Sequence, residues 1–542
     1  MSEFSGAPLD AHIPDDLTVA EFMLEYQHPL RPAQGTIPCL IEDATGRAVS
    51  LEELRERTFA LAQSLRAKYN IGEKQVVLLF SPNHVDYPAA LWASQYLGAI
   101  FTGANPSSTP PELVYQLKLT EATLIIAHSS TLETAAKAAN MAGLPSDRVI
   151  ILDSDPGLDV ISVATLISDE ISCGSKSFVP RRLRPGEGKT TVAAICMSSG
   201  TTGQPKGVAM SHTAIIANLI QLTLLNHGAH EFWCPGDVVL AVLPFFHVAG
   251  LIFNIHWMLF CATTLVVIPK FEFVGMLNSI VRHGIQHLMM VPPIALALCK
   301  HPAVKKYDLS RIKFLGSGAA PMTSELQNQL SQVCPQAKVG QAYGLTETAG
   351  LITMTPIFRP CSPGSVGMLL PGTQARLVKS DGSLAGYDEP GELVIKTPSM
   401  SLGYYKNPEA SAETFSNDGW LRTGDEAKIS KNGEIWITDR LKELIKVQGF
   451  QASPAELEGL ILNHPDVSDT CVVGVPDERS GEVPRAFVVL TEAAQNRAKI
   501  DPEPIKASIQ KLVADNKNAS GKILRRILRE QVKEEYQTKA KL

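Results

Sequence analysis

The chain has 542 residues, too many for one hydrophobic core, so several domains are expected. Its 45% hydrophobic and 19% charged composition is that of an ordinary globular enzyme, and a net charge of -6 excludes general attraction to nucleic acid or anionic membrane. Nine scattered cysteines without a C-x-x-C pair argue against a disulfide framework or zinc site and fit a reducing compartment.

The N-terminus lacks a basic segment followed by an apolar run, so no secretory leader is expected. Ser50 and Glu53 form a capping box ahead of a helix over 51–69, which Gly72 closes. A buried strand follows over 75–80, a helix over 86–97 and a strand over 99–103. Thr109 caps a helix with Pro110 at its first position, and 123–127 is again a strand. This alternation of helix and short apolar strand predicts parallel sheet covered by helices, resuming from 191 to 339. Between Asp237 and Lys270 no charged residue occurs, a length sufficient to span a bilayer. Pro244, His247, Gly250, Asn254 and His256 interrupt it, so the expectation is a strand over 238–243, a buried helix and a strand over 264–268, with no membrane span. From 363 to 434, Gly and Pro punctuate short strands (375–378, 391–396, 434–438), predicting a small antiparallel barrel or sheet. Beyond Asp439 a compact α+β module is expected: a strand over 444–447, a helix over 454–462, strands over 470–475 and 485–490, then helices. The fold class is thus α/β in a multidomain α+β arrangement. Residues 1–439 form a large domain of two αβ-layered sheets and a β-barrel at about 363–438; residues 440–542 form a small mobile domain behind a short hinge.

The strongest chemical signal is MSSGTTGQPKG at 197–207, directly after an apolar strand. Gly200 and Gly203 let the backbone approach an anion, Ser198, Ser199, Thr201 and Thr202 supply hydroxyl donors, and Lys206 adds charge. The spacing is not that of a P-loop, so no Walker fold is inferred. A flexible Ser/Gly linker would not combine this strand, this hydroxyl density and a Pro-Lys-Gly ending. Further segments follow in order: LPFFH at 243–247, GSGAAP at 316–321, QAYGLTE at 341–347, GEL at 391–393, GWLRTGD at 419–425, DRLKELIK at 439–446 and NASGK at 518–522.

Together these resemble the adenylate-forming (acyl-activating, AMP-binding) enzyme superfamily over most of the chain. The wording around Lys446, GFQ at 449–451 and PAELE at 454–458 is similar to the 4-coumarate–CoA ligase and acyl-CoA ligase branch. The resemblance implies an acid–CoA ligase. A carboxylic acid, aryl or medium-chain, would react with ATP and coenzyme A to give acyl-CoA, AMP and pyrophosphate through an acyl-adenylate, with Mg²⁺ as cofactor. An adenylating enzyme with another acceptor, carrier protein or oxygen, and an ATP-binding pseudoenzyme are the alternatives.

The resemblance also implies roles. Ser198, Ser199, Gly200, Thr201, Thr202, Gly203, Lys206, Gly318, Ala319, Gln341 and Gly344 would contact nucleotide, with Tyr343 stacking on adenine. Thr346 and Glu347 would meet the α-phosphate and Mg²⁺, for which a carboxylate is a suitable hard ligand. Asp425 would accept ribose hydroxyls, and Arg440 would bind ribose or phosphate. His247 would stand between acyl and nucleotide pockets, with Phe253, Gly318, Gly344, Gly350 and Leu351 lining the former; a satisfied core histidine is its other reading. Lys522 would bridge the substrate carboxylate and α-phosphate. Lys442 takes the hinge position; after rotation, Gly449 would leave room for pantetheine while Lys446 and Gln451 supply polar groups, ordinary edge-strand residues being the alternative.

Two departures bear on these expectations. The family carries a strand just before the Ser-Gly-Lys loop, whereas here LVAD at 512–515 runs directly into NKNASGK at 516–522. A strand of the C-terminal domain is therefore expected to be lacking, with weak or absent adenylation while ATP still binds. The acid pocket reads VAGLIF at 248–253 and TAGL at 348–351, apolar and altered in shape. Finally, Ala540-Lys541-Leu542 is a conservative variant of the Ser-Lys-Leu address read by a peroxisomal import receptor, so the expectation is peroxisome, with cytoplasm as the alternative.

Overall fold

The computed structural model describes residues 3–173, 178–198, 204–228, 232–441, 443–447, 450–477 and 481–515. Ser199, Gly200, Thr201, Thr202, Gly203, Lys442, Gly449, Lys522 and the 540–542 tripeptide lie outside them; for Lys446 and Gln451 only the backbone is described.

Two sheets carry the large domain. One orders seven strands as Gly403–Tyr404, Lys206–Ser211, Val192–Ser198, Ile100–Ala104, Val76–Phe80, Ala122–Ala127 and Val149–Ile151, all running one way except Lys206–Ser211, which is antiparallel to both its neighbours. The run Val76–Phe80 is buried at every residue, as a strand covered by helices on both faces requires. The other sheet has nine strands. Its six central members, Lys338–Leu345, Phe314–Ser317, His287–Met290, Val238–Ala241, Thr264–Val267 and Leu40–Glu42, run parallel. The two sheets share one continuous hydrophobic core.

The charge-free stretch is a core element. Gly250–Met258 is a π-helix with every residue buried. A Cβ on Gly250 would stand 2.0 Å from the Pro244 carbonyl oxygen, so only glycine admits this close start. Two of its polar side chains find partners: His256 bonds the Leu251 carbonyl at Nδ1 (2.7 Å) and accepts from Trp92 Nε1 (3.2 Å), and Trp257 Nε1 donates to Thr223 Oγ1 (3.0 Å), while the buried Asn254 amide has none among the described residues. Among the described residues no helix is long and apolar enough to cross a membrane.

Three local expectations are corrected. Asn70, in the left-handed region at φ 52°, ends the Leu51–Tyr69 helix instead of Gly72, because its backbone N–H already closes onto Arg66 and Leu65. Ser50 caps this helix by accepting from the Glu53 N–H, one half of the predicted box. In place of the β-barrel stands an antiparallel sheet ordered Glu3–Ser5, Gln374–Val378, Gly391–Lys396, Leu421–Ile429 and Ile435–Arg440; among the described residues no ladder joins its first and last strands. Leu421–Ile429 was hidden by its internal Thr-Gly-Asp, which reads as a turn.

Beyond Arg440 a separate four-stranded antiparallel sheet is ordered Phe450–Ala452, Ile445–Val447, Gly481–Leu490 and Val467–Asp477. Helices Pro454–Leu462 and Glu503–Asp515 cover one face, where Leu457, Ile461, Val467, Val472 and Val513 form a small core. On the other face Phe487 and Val489 are exposed (59% and 53%), and Val467–Asp477 runs along the sheet edge.

Candidate functional site

Ligands of parallel α/β sheets bind outside the carboxyl ends of the strands, where loops diverge. A cavity of about 540 Å³ lies there, at the ends of His287–Met290, Phe314–Ser317 and Lys338–Leu345. It is bounded by the Val192–Ser198/Lys206–Ser211 hairpin of the other large sheet and by residues 421–425 and 440 of the antiparallel sheet.

One wall is charged. Lys206 opens its strand opposite Ser198, and its ammonium lies 4.7 Å from the centre of the Tyr404 ring. The Tyr404 hydroxyl donates to Glu347 Oε1 (2.9 Å). Glu347 sits in the short turn Thr346–Thr348, which follows a β-bulge at Tyr343/Gly344. Such bulges re-aim side chains beside functional sites. Gly344 is required there: a Cβ would stand 2.2 Å from the Gly350 carbonyl oxygen.

Asp425 follows Gly424 (φ 73°) and is buried at 3% exposure. Tyr343 donates its hydroxyl to Asp425 Oδ2 (2.5 Å), and Arg440 Nε lies 3.4 Å from Oδ1. Burial raises the Asp425 carboxyl above its ordinary value against the opposing pull of Tyr343 and Arg440. Burial, followed by the Asp425 charge, holds the Tyr343 phenol well above 10, so it stays a donor.

The opposite wall is apolar: Val248, Ala249, Ile252, Phe253, Met289, Met290 and Leu351. Behind Phe253 stand Trp257 (5.1 Å between ring centres) and Trp233 (6.1 Å), which fix its ring. Between the two walls lies His247, exposed to the cavity and therefore not a core histidine. Its Nδ1 accepts from the Ala249 N–H (3.3 Å), and the surrounding protein lowers its pKa below 6.5.

Of the predicted residues, the cavity gathers Ser198, Lys206, His247, Phe253, Gly318, Ala319, Gly344, Thr346, Glu347, Gly350, Leu351, Asp425 and Arg440. Tyr343 stands beside it through Asp425. Gln341 is placed behind the wall: its amide is consumed by Met322 N and O (3.0 Å each) and Gln327 (3.2 Å), so it braces the 318–322 loop. Residues outside every motif read from the sequence are Met289, Met290, Glu413, Thr414 and Tyr404. No spacing rule reaches Tyr404; its place comes from the pairing of Gly403–Tyr404 with Ala209 and Val208, nearly two hundred residues away.

Comparison with known proteins agrees with this geometry. Residues 30–405 match the model of the AMP-binding enzyme family, and residues 456–533 match that of the AMP-binding enzyme C-terminal domain. The chain is 36% identical to 4-coumarate–CoA ligase 2 of Oryza sativa subsp. japonica, covering 96% of this chain and 93% of that protein. It is 34% identical to 4-coumarate-CoA ligase 2 of Narcissus pseudonarcissus, over 91% and 89%. Among solved structures, ATP-bound MatB from Rhodopseudomonas palustris superposes with a TM-score of 0.75 at 27% identity, over 88% of this chain and 90% of that one.

Proposed function

The chain belongs to the AMP-binding enzyme family, and from that premise we propose that the cavity activates a carboxylic acid with ATP for transfer to coenzyme A. The protein is an ATP-dependent acid–CoA ligase, AMP-forming. The observation that carries the assignment is one continuous cavity in which a charged wall (Lys206, Glu347, Asp425, Arg440) faces an apolar one (Val248, Ile252, Phe253, Met289, Leu351).

The reaction follows in two steps. A carboxylate oxygen of the acid attacks the α-phosphorus of ATP, and the bond to pyrophosphate breaks. The coenzyme A sulfur then attacks the acyl carbonyl, loses its proton, and AMP departs. Lys206 and Arg440 bring positive charge to the phosphates, where fixed charge in a partly dry site stabilises the transition state. Asp425, held by Tyr343 and Arg440, receives the ribose hydroxyls. We assign adenine stacking to the Tyr343 ring, which is tethered beside the cavity through its own hydroxyl. Neutral His247 stands at the junction where acyl and phosphoryl groups meet.

Thr346 and Glu347 offer one hydroxyl and one carboxylate, a donor set that suits Mg²⁺ only when nucleotide phosphates and water complete its shell. Mg²⁺ there would neutralise charge on the phosphates. We assign to Lys522 the contact with the α-phosphate during adenylation, and to Lys446, Gln451 and Gly449 the coenzyme A side after rotation about Lys442.

The acid's tail meets methyl, methylene and ring surface, which favours an uncharged aryl or medium-chain acyl group. Such contacts discriminate by only about 1–3 kcal/mol per methylene. The test is a panel of aryl and medium-chain acids incubated with ATP, Mg²⁺ and coenzyme A, with acyl-CoA, AMP and pyrophosphate followed by mass. Thioester with stoichiometric AMP is expected. Acyl-AMP accumulating without thioester, whatever the acid, would refute the assignment.

A further inference from the structure

Lys206 and Glu347 carry opposite charges on one cavity wall, yet no ion pair joins them among the described residues. Left free, a lysine and a glutamate sharing a half-buried site tend to neutralise each other, which would blunt both for a polyphosphate and its cation. One side chain engages both. The Tyr404 ring takes the Lys206 ammonium on its face at 4.7 Å, and its hydroxyl donates to Glu347 Oε1 at 2.9 Å.

We propose that Tyr404 is a positioning residue for adenylation: a spacer that holds Lys206 and Glu347 apart and aimed, so that each remains available to the nucleotide. The inference rests on the reading of the cavity as an ATP site.

The surrounding structure is built to hold this ring. Gly403–Tyr404 pairs antiparallel with Ala209 and Val208 on the strand that Lys206 opens, and the Tyr405 N–H donates to the Gly207 carbonyl (2.6 Å). The Tyr404 N–H donates to Ser411 Oγ (2.9 Å) on helix Pro408–Thr414. Phe415 meets the ring edge-on at 6.0 Å. The same segment is stitched to the Glu347 turn, since the Ser401 N–H donates to the Glu347 carbonyl (3.0 Å) and Ser401 Oγ to the Thr346 carbonyl (3.1 Å). Residues 401–404 thus bridge the hairpin and the turn, and Tyr404 is where the bridge enters the cavity. Burial and the neighbouring Glu347 charge push its phenol up from 10, so it remains protonated and donating throughout the neutral range.

The two functions of the side chain separate by substitution. Tyr404→Phe keeps the ring under Lys206 and releases Glu347. Tyr404→Leu removes both. Binding of ATP is measured by titration calorimetry on the full chain, with Mg²⁺ varied and with chelator, beside pyrophosphate exchange and the rate of thioester formation from supplied acyl-adenylate. A hydrogen bond to a charged group is worth enough to expect about a tenfold rise in the Mg²⁺ needed for half-maximal ATP binding in Tyr404→Phe, with little change in chelator. Tyr404→Leu is expected to weaken ATP binding in chelator as well, by about threefold or more through loss of the cation–π contact. Neither is expected to slow thioester formation from supplied acyl-adenylate. Equal Mg²⁺ dependence in wild type and Tyr404→Phe would overturn the inference, as would equal slowing of both half-reactions, which marks a merely structural role. A wild-type chain that binds no ATP sinks the reading of the cavity itself; normal wild-type binding with unmoved variants sinks only the spacer.

Discussion

The large domain and the C-terminal module handle apolar surface in opposite ways. In the former, strands such as Val76–Phe80 and Thr264–Val267 are buried on both faces, and the cavity is lined by the ends of such strands. In the latter, the hairpin of Val467–Asp477 and Gly481–Leu490 covers a small core on one side and leaves Phe487, Val489 and Val473 exposed on the other. Its hold on the large domain includes modest polar contacts: the Lys300 ammonium donates to the Leu462 and His464 carbonyls (2.5 and 3.2 Å), and Ser453 Oγ to the Thr438 carbonyl (3.5 Å). The nucleotide wall is therefore preorganised, while the described part of the C-terminal module sits on polar contacts that are cheap to exchange.

The largest expected effect separates binding from chemistry across this divide. Lys206→Ala or Glu347→Gln is expected to lower acid-dependent pyrophosphate exchange by about 10²–10³, the usual cost of one fixed electrostatic group. ATP affinity should fall alongside. Supplying a strand ahead of Lys522, where the sequence is expected to lack one, is expected to raise exchange while leaving ATP affinity unchanged, because Lys206, Glu347 and Asp425 lie in the large domain and Arg440 ends a strand of its antiparallel sheet. Brisk exchange of equal rate with and without that strand would show that the C-terminal module is competent as it stands.

The same divide decides what the sequence made legible. Continuous apolar runs and capped helices announced the parallel sheets, and Pro110 and Thr109 marked a real helix start with both halves of its capping box. Motif residues at or just past strand ends, Ser198, Gly318 and Glu347, meet in the cavity because strand ends converge in this topology, and Asp425 joins them from inside Leu421–Ile429. Illegible were features set by distant pairing. Tyr404 enters through a two-residue strand, Met289 and Met290 read as ordinary core, and Gln341 looks like a ligand until its amide is seen to be spent on Met322 and Gln327. Leu421–Ile429 was obscured because Gly424, with φ 73°, lies inside a strand instead of ending one.

A pH titration sharpens the comparison next. His212 accepts the Val19 N–H at Nδ1 (2.9 Å), and burial lowers its pKa from 6.5 to about 3; His256, held between Leu251 and Trp92, is lowered to about 4. Both favour the neutral form in the folded state, so below pH 6.5 the unfolded chain binds more protons and stability falls as pH falls. Each contributes a slope of up to about 1.4 kcal/mol per pH unit, ending near pH 4 for His256 and pH 3 for His212; above pH 6.5 neither contributes. The five tryptophans, Trp92, Trp233, Trp257, Trp420 and Trp436, all precede the C-terminal module, so their fluorescence reports the large domain. Its melting temperature is expected to drop between pH 7 and pH 5, and less steeply in His212→Gln, whose amide oxygen keeps an acceptor for Val19.

The smallest expected effect concerns the open face of the module. Phe487 faces Cys471 across the hairpin, with Val489 two residues along on the same side, and all three are exposed. A residue already in water loses little when truncated, so Phe487→Ser is expected to change stability within about 0.5 kcal/mol. It should also reduce self-association, since an exposed apolar strand beside a sheet edge that is unpaired among the described residues invites pairing. Chemical denaturation and light scattering on the same sample check both. A loss of several kcal/mol would mean that the ring is covered in solution, and that the module is as fully packed as the large domain.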